Sequence, residues 1–180
     1  WFAVSFIWPD WNFRNISNNI RKSSKATLDY FDAIVDQYQY GKNNSVDYRK
    51  VRRFAHNSQI ELSSMISSLS TEPNPNQDLI HNAFRYLVYS HSQLSYVSAL
   101  GSHRVQVSDP QILELMLWCK DYLNQVLLNQ EPLDELLIQE KLTEIQHLNE
   151  QDNLSDDLQL ALKQISLLLE TLPELLKLKT

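Results

Sequence analysis

The sequence predicts an all-α fold, an antiparallel helical bundle of five to six helices. Three observations carry this. Only two glycines, Gly41 and Gly101, occur in 180 residues, too few for the tight turns of a β-rich fold or for a phosphate-cradling loop. Long stretches free of Gly and Pro place apolar residues three and four apart, the period of a helix with one buried face. No run alternates apolar and polar residues as a half-buried strand does.

The length suits one domain, which can bury roughly 70% of its unfolded surface. Residues 1–11 read as the end of a membrane-proximal segment and 12–180 as one helical domain. Within it, 12–105 holds the motif-bearing helices and 106–180 holds acidic, leucine-rich ones. The opening Trp1-Phe2-Ala3-Val4-Ser5-Phe6-Ile7-Trp8 is apolar but far short of the ~20 residues that span a bilayer. No basic stretch precedes it, so it does not resemble a secretory signal. Trp1, Trp8 and Trp11 suit a membrane–water boundary, and Arg14, Arg21, Lys22 and Lys25 follow with Asp10 the only acid before Asp29. That bias is the one expected on the cytoplasmic side of a membrane segment. The plainer alternative is an N-terminal helix with an aromatic core face.

The first helix is expected from Asn12 to about Tyr40, on a stripe of Ile16, Ile20, Leu28, Phe31, Ile34, Val35 and Tyr38. Gly41 closes it in a left-handed conformation. Ser45 caps a second helix running to about Thr71. Pro73 and Pro75 break the chain in the turn Glu72-Pro73-Asn74-Pro75-Asn76. A third helix is expected from Gln77 to Arg104. Asp109-Pro110 is a strong start for a fourth, with the carboxylate capping and the proline filling the first position. That helix is apolar nearly all round and is expected to be central. Glu131-Pro132 starts a fifth, Asn153 or Ser155 caps a sixth, and Pro173 is expected to interrupt it.

Charge divides the chain. Residues 1–105 carry 11 bases against 8 acids, and residues 106–180 carry 5 against 14. The acidic half argues against nucleic acid as a partner, because that requires a broad basic footprint. The bases concentrate on a hairpin of the second and third helices, Tyr48 to Arg104. Arg49, Arg52, Arg53 and His56 fall at helical offsets of three and four and share a cationic side. It suits an anionic ligand, an acidic partner helix or anionic lipid headgroups; alternatively each base pairs with an acid on a neighbouring helix. Arg85, His91, Ser95, Tyr96 and His103 interrupt an otherwise apolar helix. Buried polar groups need hydrogen bonds, so the two arms are expected to share an internal network with Asn57, Ser95 and Tyr96 as members. His103 and Arg104 sit near a helix end, where they can answer the helix dipole.

No chemistry emerges from these residues. Cys119, the single cysteine, lies in an apolar run and reads as an inert core thiol. No metal-ligand spacing, nucleophile elbow or cofactor motif is present, so neither an enzyme nor a cofactor is expected.

The combination Tyr48-Arg49, Arg52-Arg53-x-Ala55-His56-Asn57, Phe84-Arg85-x-Leu87 and His91-x-x-Leu94-Ser95-Tyr96-x-Ser98-Ala99-Leu100-Gly101-x-His103-Arg104 resembles the fusaric acid resistance protein-like (FUSC) family of bacterial inner-membrane proteins, in its YccS/YhfK branch. The likeness is to the C-terminal cytoplasmic domain and covers about residues 8–105. It implies part of a transporter whose relatives export aromatic carboxylates, with the transport path in a membrane portion outside this stretch. The partners implied are the rest of its own transmembrane protein, further copies of itself and anionic lipid headgroups, at the cytoplasmic face of the inner membrane. The alternatives are a module sensing anionic ligands through Arg49, Arg52, His56 and Arg85, and a freestanding helical scaffold.

Overall fold

Six helices carry the chain: α1 (Trp8–Tyr40), α2 (Val46–Leu69), α3 (Gln77–Leu100), α4 (Pro110–Leu127), α5 (Glu135–Asn149) and α6 (Asp156–Lys177). The computed structural model describes residues 8–42, 45–71, 76–150 and 154–178, with side chains from residue 16 onward. The expectations for Trp1, for the side chains of Trp8 and Trp11, for the turn at 72–75 and for a cap at Asn153 lie outside the described residues.

The periodic stripes become the core. Ile16, Ile20, Leu28, Phe31, Ile34, Val35 and Tyr38 of α1 are all buried, as are Leu62 and Ile66 of α2 and Leu94, Val97 and Leu100 of α3. Helices α1, α3, α6 and α4 form a closed ring of packed neighbours; α2 lies on α1 and α3, and α5 lies on α6. Side-chain pairs fix the register. Ser23 meets Gln59 and Tyr30 meets Tyr48, so α1 and α2 run antiparallel. Gln59 meets Ser90 and His56 meets Ser98, so α2 and α3 form the expected antiparallel hairpin. Gln93 meets Thr171 and His103 meets Asp157, so α3 and α6 are antiparallel as well. Ser24 with Tyr86 and Tyr38 with Leu100 set α1 and α3 parallel.

Most caps are the expected ones. Gly41 takes φ +93°, Ser45 accepts from the Tyr48 N–H, and Asp109 accepts from Gln111 and Ile112 ahead of Pro110. Four boundaries differ. Helix α1 already includes Trp8, ahead of the expected Asn12. Helix α3 ends at Leu100, and residues 101–107 turn back over α1: the Tyr38 hydroxyl donates to the carbonyls of Leu100 and His103, and the Val107 N–H donates to the Tyr38 carbonyl. Helix α5 starts at Glu135, because Asp134 rather than Glu131 caps it. Pro173 sits inside α6 instead of interrupting it. Leu172 and Leu175 on either side are buried, and their packing outweighs the one lost backbone bond. Helix α4 is not the centre; its Glu114 and Asp121 are exposed, and α1, packed against α2, α3 and α4, takes that place.

Gly101 has an ordinary helical φ of -64°, so its lack of a side chain answers to space. A Cβ there would lie 2.8 Å from the Tyr30 hydroxyl and 2.9 Å from the Tyr48 hydroxyl. Two effects compete in Gly101→Ala. Helix propensity favours alanine by up to ~1 kcal/mol, whereas overpacking a rigid site costs about 1–3 kcal/mol. Both rings are buried and bonded to each other, so the clash is expected to win. Urea unfolding should show Gly101→Ala destabilised by roughly 1–2 kcal/mol; a stabilised variant would mean the hydroxyls give way freely.

Candidate functional site

Helix α2 buries one side against α1 and α3 and turns the other outward. The outward residues include Val46, Arg49, Arg53, Asn57 and Ile60, with Arg52 and Phe54 exposed on its two flanks. None of Arg49, Arg52 and Arg53 has an acidic oxygen within 4 Å among the described residues. The ion pairs engage other bases: Lys50 with Asp47 on the same helix, Lys22 with Glu61, Lys25 with Asp29, Arg85 with Glu174 and His103 with Asp157. Among the described residues, then, these three arginines have no acid at ion-pair distance. Like charges one turn apart repel.

Apolar side chains share this surface. Of the eight large hydrophobic residues exposed among those described, five lie on the hairpin: Val46, Phe54 and Ile60 on α2, Phe84 and Val88 on α3. Ile60 is 67% and Val88 64% exposed. Single exposed apolar residues are ordinary, but apolar depressions edged by polar and cationic side chains mark an interaction surface. A shallow depression between Val46, Val51 and Phe54 is edged by Arg49, Arg53 and Asn57. A second follows the seam between the two helices, between His56, Ile60, Leu87, Val88 and His91. Ile60 and Val88 fall off the apolar stripes, and that position was the signal for them in the sequence.

The remaining residues of the basic seam disperse. Arg104 points inward, donating to Gln37 and lying 4.2 Å above the Tyr48 ring. Arg85 faces Glu174 of α6 at 3.8 Å, so it is not gathered with Arg49, Arg52 and His56 into one carboxylate grip. His103 reaches Asp157 at 3.1 Å. His91 is exposed, and the Ser95 hydroxyl merely donates to the His91 carbonyl one turn back on its own helix. Asn57 is exposed and Tyr96 half-buried.

The internal network exists, but its members differ from those expected. Gln59 accepts from Ser23 at 2.9 Å and donates to Ser90 at 2.8 Å, tying α1, α2 and α3 together. Ser24 meets the Tyr86 hydroxyl at 3.1 Å, and burial pushes that phenol up to about 12. Gln93 donates to the Leu168 carbonyl and to Thr171 of α6. A cavity of about 20 Å³ beside Ser24, Tyr86, Ser90 and Gln93 has room for one water. These are structural bonds: nothing in the network pairs a nucleophile with a base. Cys119 is fully buried and its thiol is pushed up to about 12 by burial. Among the described residues no group of His, Cys, Asp and Glu is arranged to hold a metal ion.

His56 sits half-buried at the α2–α3 seam, its ring 6.3 Å from that of Tyr30. Burial lowers its pKa below 6.5, and the positive charges of Arg52 and His91 act in the same direction. The unfolded chain therefore takes up a proton near pH 6.5 that the folded chain resists. This contribution to stability is complete above that pH and is lost as pH falls through it. The difference in stability between His56→Asn and the wild type, measured by urea unfolding from neutral to mildly acidic pH, should shift in favour of the variant as pH drops. A difference that stays constant would contradict this.

Over 177 residues, 97% of its length, the chain is 39% identical to the inner membrane protein YccS of Escherichia coli, covering 24% of that protein. It is 34% identical over 111 residues to an uncharacterized protein of Haemophilus influenzae, and 30% identical over 102 residues to the uncharacterized protein ORF2 of Neisseria gonorrhoeae. These matches take in 62% and 56% of this chain, and 16% and 24% of those proteins. The chain thus spans about a quarter or less of the relatives it matches. No protein-family profile and no solved structure matches it. No helix among the described residues is long and apolar enough to cross a membrane. Over nearly its whole length the chain is homologous to a quarter-length segment of an inner-membrane protein of the YccS type.

Proposed function

We propose that the chain is a non-catalytic assembly or regulatory domain of an inner-membrane transporter of the FUSC type, held at the cytoplasmic face of the membrane. In this reading the intact protein exports aromatic or other organic acids through its membrane portion, and the hairpin of α2 and α3 makes the contact that couples this domain to the rest. The observation that carries it is the outer face of the hairpin. Among the described residues, three arginines without an acid within 4 Å stand beside exposed Val46 and Phe54, and exposed Ile60 and Val88 line the neighbouring α2–α3 seam, in a chain homologous to an inner-membrane protein.

Distance argues for a protein contact over a lipid one. At 1.5 Å per residue, Lys22 lies about 21 Å along α1 from Trp8, and Tyr30 about 33 Å. Lys22 stacks on Phe54 and Tyr30 meets Tyr48, so Arg49 to Arg53 lie along that stretch. With α1 leaving the membrane at its N-terminal end, the arginines stand well beyond the ~8 Å screening length from the headgroups.

In the intact protein, Arg52→Glu with Arg53→Glu should cut export of an aromatic carboxylate several-fold while leaving the amount of protein in the membrane unchanged. Export at the wild-type rate would reduce the seam to a solvated surface and sink the proposal. Because the face serves a protein contact here, aromatic acids at millimolar concentration should leave the melting temperature of this chain unchanged; a clear rise would favour ligand sensing instead, since a ligand of the native state must stabilise it.

A further inference from the structure

We infer that the occupant of the hairpin face is helix α5 of a second copy of this chain. The inference rests on the assembly reading above and names its partner.

The outward side of α5 is the counterpart of the hairpin face. It exposes Glu135, Leu136 and Glu140. Leu136 is the most exposed large hydrophobic residue among those described, at 83%. Neither Glu135 nor Glu140 has a basic nitrogen within 4 Å among the described residues; Lys141 pairs with Glu144, and Lys177, paired with Glu174, acts on Glu135 only from further off. One surface therefore carries an apolar depression rimmed by Arg49 and Arg53, and the other carries an apolar knob flanked by two carboxylates. A leucine inserted beside Phe54 brings the acids of α5 within reach of the arginines: Glu140 follows Leu136 by one helical turn, Glu135 adjoins it, and Arg49 and Arg53 are likewise one turn apart. Guanidinium–carboxylate pairs enclosed by apolar side chains are stronger than the same pairs in open water.

The two surfaces cannot meet within one chain. Helix α2 packs on α1 and α3, whereas α5 packs on α6. The contact therefore joins separate chains, either reciprocally in a two-fold pair or head to tail in a ring or row.

The test is sedimentation of the 180-residue chain over a wide concentration range. The average mass should rise with concentration and fall back toward one chain at high salt. Arg49→Glu with Arg53→Glu, Glu135→Arg with Glu140→Arg, and Leu136→Ser should each weaken association about tenfold or more, and all are surface changes whose folding circular dichroism verifies. An equimolar mixture of the two charge-reversed variants should associate again, since each then meets its complement. A wild-type chain that stays monomeric, variants that associate as the wild type does, or a mixture that remains dissociated would overturn the pairing. So would cosedimentation of the chain with phosphatidylserine vesicles in place of self-association. Export by the intact protein reads the assembly proposal separately: a monomeric chain whose Arg52 and Arg53 reversal still impairs export removes this partner and leaves that proposal standing.

Discussion

Three helices converge on the missing side chain of Gly101. The hydroxyls of Tyr30 and Tyr48 occupy the space a Cβ would need and lie 3.3 Å apart. The Arg104 guanidinium covers the Tyr48 ring, and Tyr38 holds the carbonyls of Leu100 and His103. Each hydroxyl is buried, and a buried hydroxyl without a partner costs free energy. The cluster is therefore satisfied only when the start of α2, the middle of α1 and the end of α3 take this one arrangement. Its consequence is directional. With Tyr48 pinned inward, Arg49 and Arg53, one and five residues further along the helix, must point to the outside.

The same economy of polar groups operates along the rest of the hairpin. Amides and hydroxyls, which can be buried at modest cost when bonded, go inside: Ser23, Gln59 and Ser90 on one level, Gln93 with Thr171 on another. Most of the charged side chains stay at the surface, where solvent screens them. Arg104 is the exception, and it is stacked and bonded where it enters. What looks in sequence like a single basic seam is thus two things. One part is an internal clasp that holds the helices together; the other is an external face free to meet a partner.

Helix number, order and most caps were legible because they depend on neighbours in sequence. A stripe such as Ile16-Ile20-Leu28-Phe31 announces its own buried side, and Ser45 and Asp109-Pro110 announce their own ends. The failures share a different cause. Pro173 stays helical because Leu172 and Leu175 are packed by other helices, which no local rule can see. The partners of Gln59 and Gln93 lie 31 to 78 residues away, so their bonds are fixed by tertiary register. Spacing put Arg49, Arg52, Arg53 and His56 on one side of α2 but could not say that His56 would meet α3 while the arginines stayed exposed. Ile60 and Val88 drew no notice for the same reason, since an exposed apolar residue gains meaning only beside others.

Homology to an inner-membrane protein and an exposed cationic, apolar face together are what the proposed contact role rests on. The most direct test is maleimide labelling of the intact protein in native membranes, with cysteine placed at Arg53, Ile60 and Leu136 and, as a control, at exposed Asp121 of α4. Cys119 is buried with its thiol pushed up to about 12, so it adds no background. The account predicts that the first three positions are protected and position 121 reacts. Equal reactivity at all four would contradict it.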